Sequence, residues 1–182
     1  MTILTAEEII AICQGQPCAG WIMSGAGTLE KGSETAVSLS VRIPEARNAL
    51  RSFTYDSIRA LDGFFNRIGW FLWLRSWNIG AEEYAQVGWR SCELMRRGIA
   101  ELRSLEMASA HEFRSDEEIE CRAFLLQVFL NQWEAVLIPN LLQYYVWVDE
   151  DSVTYHLPNG DAAAYAMRSL RRWEPALGIQ SN

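Results

Sequence analysis

The chain has 182 residues, of which 49% are hydrophobic and 21% are charged, and its formal net charge is -7. This length and composition predict one compact domain over residues 1–182 and exclude a disordered chain. The negative charge opposes non-specific contact with nucleic acid and with anionic lipid, so neither a nucleic acid nor a membrane is the expected partner.

The amino-terminal region predicts one short helix and one strand. Thr5 and Glu8 have the spacing of a capping box, which favours a helix over residues 6–13. Alternating apolar and polar residues over 37–43 predict a strand with one wet face, and residues 20–24 could pair with it. The chain opens without a basic segment typical of a signal peptide, and its four cysteines are scattered, so we expect a cytoplasmic protein.

The run IGWFLWLRSW, residues 68–77, is apolar in nearly every direction of the helix it is predicted to form within residues 56–77. Trp70, Trp73 and Trp77 fall on one face of that helix, roughly 145° from a second apolar stripe. A helix that is apolar on both faces must be covered on both. It is therefore either the centre of the core or covered on its tryptophan face by another molecule.

The remaining pattern predicts helices over residues 81–108 and 115–139, a hairpin of strands 144–148 and 153–157, and a last helix over 162–173. Ser115 and Glu118 have capping-box spacing, and Pro139 is expected to end or kink the second of these helices. The expected fold is α+β and mainly helical: three long central helices form a bundle-like core, with short β-hairpins from the two terminal regions. An all-α bundle is the alternative.

Motifs that could carry chemistry are incomplete. His111 and Glu112 begin a zinc-protease pattern, but Ser115 stands at the second histidine position, and His156 is the one other histidine. The glycines between 25 and 32 match neither a phosphate loop nor a dinucleotide fingerprint. We therefore predict no catalytic residue, no metal site and no cofactor, and the sequence favours binding over catalysis.

These observations lead to a functional hypothesis. Surplus tryptophan, acidic charge and absent catalytic motifs indicate a small cytoplasmic protein-binding module, an inhibitor, immunity or antitoxin-type protein that covers a basic or neutral partner. The alternatives are a helical small-molecule-binding protein or enzyme with an aromatic-lined pocket, and a homo-oligomer with a structural role. The candidate binding residues are three tryptophan anchors, two rim arginines and an acidic turn: Trp70, Trp73, Trp77, Arg67, Arg75, Asp149, Glu150 and Asp151.

Overall fold

The computed structural model describes residues 1–14, 37–65, 69–76, 83–139 and 145–178. Over these residues the chain forms an eight-stranded sheet in which all paired neighbours are antiparallel. In chain order the elements are β1 (Thr2–Leu4), α1 (Ala6–Cys13), β2 (Val37–Arg42), α2 (Arg47–Phe65), β3 (Trp70–Ser76), α3 (Glu83–Gly98), β4 (Ala110–Phe113), α4 (Glu118–Asn131), β5 (Glu134–Pro139), β6 (Tyr145–Val148), β7 (Ser152–Leu157), α5 (Gly160–Leu170), a 3₁₀ turn (Arg171–Trp173) and β8 (Ala176–Gly178).

The strand order is β1-β4-β3-β5-β6-β7-β2-β8, so the sheet grows outward from β3, β5 and β6. Its two edge strands, β1 and β8, have three residues each, and such short edges offer little backbone to another chain. Strands β6 and β7 form the predicted hairpin, which the Asp149 N–H closes by donating to the Ser152 carbonyl at 2.9 Å. The predicted strand over 37–43 is confirmed as β2, while its proposed partner at 20–24 lies outside the described residues.

Helices α2 to α5 and one face of the sheet enclose a large apolar core. Because side chains alternate along a strand, β3 sends every second residue into this core. The sheet and the helices contribute large buried side chains to it, among them Trp70, Leu72, Leu74, Phe53 and Phe124. This core is the main source of hydrophobic stabilisation for the described residues.

The opposite face of the sheet carries a second, smaller apolar cluster. Ile9 and Cys13 of α1 pack there against side chains of β3 and β5 such as Phe71, Trp73 and Val136. The capping box that begins α1 is confirmed, because the Glu8 N–H donates to Thr5 Oγ1 at 3.1 Å and the Thr5 N–H donates to Glu8 Oε2 at 2.7 Å.

The expected mainly helical fold with a three-helix bundle is wrong, and so is the all-α alternative, because an eight-stranded sheet forms the centre of the molecule. The decisive error is the run at 68–77. Helix α2 ends at Phe65, and Trp70–Ser76 is a sheet strand with buried side chains on both faces. A strand covered on both sides is apolar throughout, and over a short window its sequence cannot be distinguished from that of a buried helix.

Two further helix predictions are wrong in their limits. Helix α3 ends at Gly98 rather than at residue 108. Helix α4 begins at Glu118 without a side-chain cap and ends at Asn131, where Gln132 adopts a left-handed backbone with φ of 54°. Residues 134–139 then form β5, so Pro139 ends a strand and not a helix. The expected cap at Ser115 is wrong because the helix begins later, with Glu117 at the N-cap position. The Glu117 carboxylate accepts from the Arg114 N–H and from the amino group of Met1.

Candidate functional site

Two of the three tryptophan anchors predicted from the sequence belong to the described residues, and both are buried. Trp70 is 2% exposed and Trp73 is 5% exposed. The Trp73 indole donates to Ser109 Oγ at 3.2 Å, and the Arg75 guanidinium lies 4.4 Å from the Trp73 ring centre. These two rings are therefore not available to a partner at the surface. Arg67 and Trp77 lie outside the described residues.

The acidic turn predicted from the sequence lies at the surface between β6 and β7. Asp149 is held by the Trp147 indole N–H, which donates to Asp149 Oδ1 at 2.6 Å. The Asp151 carbonyl accepts from the Ile43 N–H at 2.7 Å, which ties the turn to the end of β2. Glu150 and Asp151 are exposed. The backbone of the turn is therefore fixed while two of its carboxylates face solvent.

This turn forms one wall of a cleft of about 430 Å³. The other walls come from the end of β2, the start of α2 and the end of α4. The floor is apolar and consists of buried or half-buried side chains, namely Ile43, Pro44, Leu50, Phe129 and Leu130. The rim is polar and carries five charged residues and two amides, namely Arg42, Glu45, Arg47, Glu150, Asp151, Asn131 and Gln132. An apolar centre inside a polar rim is the usual anatomy of a protein-binding surface.

Some charged side chains on the rim form ion pairs with one another and others do not. Arg42 and Glu45 form an ion pair at 3.1 Å, with both side chains more than two-thirds exposed. Within the described part of the chain, the carboxylates of Glu150 and Asp151 have neither an ion pair nor a hydrogen bond. Negative charge at the cleft is therefore left to interact with a ligand.

A close helix contact supports the cleft from behind. The amide of Asn131 donates to the Gln127 carbonyl at 2.7 Å, and a Cβ placed on Gly88 of α3 would lie 2.1 Å from Asn131 Nδ2. Only glycine at position 88 leaves space for this amide at the cleft wall. Sequence reasoning did not find Asn131 or the floor residues, because no local pattern shows that the ends of α4 and β2 meet.

Another polar cluster, formed around Arg96 and His111, lies inside the protein. Arg96 and His111 are both 0% exposed. Arg96 Nη1 donates to the Ala108 carbonyl at 2.6 Å and to His111 Nε2 at 3.0 Å, and Nη2 donates to the carbonyls of Arg103 and Ser104. Since arginine can only donate, His111 Nε2 must be the unprotonated nitrogen. The guanidinium thus holds residues 103–108 against the core.

The protonation of this cluster argues for a structural role. Burial, together with the positive Arg96 guanidinium, lowers the pKa of His111 to about 3. Burial also raises the pKa of the Cys92 thiol to about 12. At neutral pH the imidazole and the thiol are both uncharged, so neither group is prepared for proton transfer or nucleophilic attack.

The other histidine lies on the opposite face of the sheet. His156 stacks on Tyr145 at 4.3 Å between ring centres, and its Nδ1 is 3.1 Å from Ser38 Oγ. Burial lowers the pKa of His156 to about 4. Four strand spacings separate β7 from β4, about 19 Å, so His156 and His111 do not meet. The described residues place no carboxylate in hydrogen bond with His156 that would complete a catalytic triad.

The described residues contain neither a candidate metal centre nor a candidate membrane span. Among these residues, no group of three or more histidine, cysteine or acidic side chains is placed to hold a metal ion. No helix in the same ranges is long and apolar enough to cross a lipid bilayer. Comparison with protein-family models and with curated proteins finds no match to this chain.

Proposed function

We propose that this protein is a small cytoplasmic protein-binding module of the inhibitor, immunity or antitoxin type, which acts by covering part of a basic or neutral partner. The observation that carries the proposal is the cleft beside the β6–β7 turn, with its apolar floor and its two unpaired carboxylates. This support is independent of the tryptophans that first suggested a binding role.

The chemistry of the cleft favours an arginine or lysine side chain of the partner. The aliphatic part of such a side chain would lie on Leu50 and Leu130, and its charged end would reach Glu150 and Asp151. The formal net charge of -7 would also draw a basic protein toward this surface before contact.

The described residues give less support to a small-molecule site or an enzyme. Phe129 is the one aromatic side chain among the residues that line the cleft, so the cleft is not the aromatic-lined pocket of the alternative hypothesis. Cytoplasmic localisation belongs to the proposal and is supported by the four cysteines, which are scattered along the sequence rather than closely spaced.

The proposal is tested by affinity capture followed by measurement with the captured protein. Immobilised wild-type protein and the double variant Glu150→Gln/Asp151→Asn are exposed to extract of the host cell. Proteins retained by the wild type are identified, purified and titrated against both forms. We expect a basic or neutral protein whose Kd is weakened about tenfold in the double variant, and less so at high salt, which screens the lost charges.

A matched pair of exposed acidic residues provides the control. Glu7→Gln/Glu120→Gln makes the same change in net charge away from the cleft, and these side chains have no ion pair in the described structure. The variant Leu130→Ala tests the apolar floor without altering charge. Equal affinity of the partner for the wild type and for both cleft variants would refute the assignment of the cleft, and the absence of any retained protein would refute the binding role.

A further inference from the structure

The outward side of α3 carries an unusual line of residues. Val87, Ser91, Leu94 and Gly98 follow one another at intervals of four, three and four, which places them on one stripe of the helix. Val87 is 57% exposed and Leu94 is 69% exposed. The opposite side of α3 is buried against the core and α4 through residues such as Cys92. We call the line of four residues the α3 seam.

The α3 seam has the spacing of one strand of a coiled coil. With Val87 and Leu94 at d positions, Ser91 and Gly98 occupy a positions, which alternate with d in a heptad. The Ser91 hydroxyl already donates to the Val87 carbonyl at 2.9 Å, and a Cβ on Gly98 would meet no atom within 4 Å. The small a residues therefore leave space for larger side chains from a second helix.

Two arginines flank the seam on one side. Arg90 and Arg97 occupy the g positions beside Val87 and Leu94, where partner helices form interhelical ion pairs. Both side chains are exposed, and neither guanidinium group has an ion pair or a hydrogen bond within the described residues. The side chain of Glu93, in the same stretch, is 20% exposed and lies on the Arg96 side. The exposed charged side chains on the described part of α3 are therefore positive, although the chain as a whole is acidic.

Exposed apolar side chains of the described chain are frequent in α3 and in the segment that follows it. Five of its eight exposed large apolar side chains lie between residues 87 and 107, namely Val87, Leu94, Ile99, Leu102 and Met107. Val87 and Leu94 share one stripe of α3, and apolar side chains that lie side by side in this way are typical of an interaction surface, whereas single ones need no explanation.

We propose that the α3 seam binds an amphipathic helix of a partner protein that carries aliphatic residues at heptad spacing and carboxylates beside them. Aliphatic side chains of that helix fill the space above Ser91 and Gly98, and its carboxylates pair with Arg90 and Arg97. The seam is a different surface from the cleft and has the opposite charge preference. A second copy of this chain pairing seam to seam offers these arginines no carboxylate, because arginine faces arginine in an antiparallel pair and Arg90 faces Met95 in a parallel one. An acidic helix is therefore the fitting occupant.

The probe for this proposal is a labelled peptide of three heptads with leucine at a and d and glutamate at e and g. Repulsion between its glutamates opposes self-association at neutral pH. Binding is followed by fluorescence anisotropy against the full-length protein, and a second peptide with lysine in place of glutamate is the comparison. We expect the glutamate peptide to bind with a Kd below about 1 mM and about tenfold more tightly than the lysine peptide.

Charge reversal provides the decisive variant. Arg90→Glu/Arg97→Glu should invert the preference and bind the lysine peptide more tightly. The control Arg51→Glu/Arg59→Glu makes the same change at two exposed arginines of α2 and should leave the preference unchanged. Leu94→Asp should weaken binding of the glutamate peptide without altering α3, because Leu94 is mostly exposed. Circular dichroism of each variant verifies that the fold is retained.

Three results would overturn the proposal: no binding of the glutamate peptide up to about 1 mM, equal binding of the two peptides, or a preference that survives reversal of Arg90 and Arg97. The cleft variant Glu150→Gln/Asp151→Asn should bind the peptide as the wild type does. Failure of the α3 seam is thereby separated from failure of the cleft.

Discussion

Replacing His111 by glutamine should remove a large part of the pH dependence of stability between pH 7.5 and pH 5. In the folded protein His111 is enclosed beside the Arg96 guanidinium, and its pKa is lowered to about 3. In the unfolded chain the same imidazole has a pKa near 6.5. As the pH falls below 6.5, the unfolded chain takes up a proton that the folded protein refuses, so the folded state loses stability.

The size of the loss follows from the two pKa values. At pH 5 the imidazole is almost fully protonated in the unfolded chain and almost fully neutral in the folded one, which corresponds to about 2 kcal/mol. His156 adds to the slope in the same direction, because its folded pKa is lowered to about 4. Its contribution is smaller because it is only half-buried and solvent reaches its charge.

Glutamine at position 111 can offer its amide oxygen to Arg96 Nη1, so the variant removes the titration and keeps an acceptor. The assay is urea unfolding followed by tryptophan fluorescence at pH 7.5 and pH 5, with the free energy of unfolding extrapolated to water. Working above pH 5 avoids Glu101, whose pKa is lowered to about 2 mainly by the hydrogen bond from Arg103. A decrease as large in His111→Gln as in the wild type would refute the reasoning, and His156→Gln is the matched control.

Two further pairs of substitutions test individual contacts in the structure. Gly88→Ala should displace the Asn131 amide and destabilise the protein by about 1 kcal/mol. Gly98→Ala is the control, because a Cβ there meets open space, and it should be neutral or slightly stabilising. Equal effects of the two variants in urea unfolding would contradict the close contact at Gly88. Asp56→Ala removes both the acceptor of the Trp173 indole N–H and the ion-pair partner of Arg172, and it should cost about 1–3 kcal/mol. Asp56→Asn loses the ion pair but keeps an acceptor for the indole, so it should cost less. Thermal unfolding compares the two variants, and identical midpoints would contradict this role of the indole hydrogen bond.

Local chemistry in the sequence identified several elements correctly. The capping box of Thr5 and Glu8 predicted α1, and the alternation over 37–43 predicted β2. The acidic turn between two β-branched and aromatic segments predicted the β6–β7 hairpin. These signals succeed because each depends on contacts between residues near one another in the chain.

The candidate site was accessible to sequence reasoning only in part. Glu150 and Asp151 could be predicted as an exposed acidic turn, and they do line the cleft. Leu50 and Phe129 of the floor could not, because residues almost eighty positions apart meet there only when α2 and α4 pack together. The expectation that Trp70 and Trp73 act as anchors followed from the helix period, which placed both on one helix face. These residues belong to a strand, so that helix face does not exist.

The sequence by itself determined that the run at 68–77 must be covered on every side, since its side chains are apolar in all directions. Tertiary structure alone decided the way in which it is covered. A short apolar run has no periodicity that separates a strand from a buried helix, and the backbone becomes a strand because β4 and β5 pair with both of its edges. Those pairings join residues 37 to 69 positions apart, as between Trp73 and Ala110 or between Trp70 and Pro139, and no local pattern in the sequence indicates them.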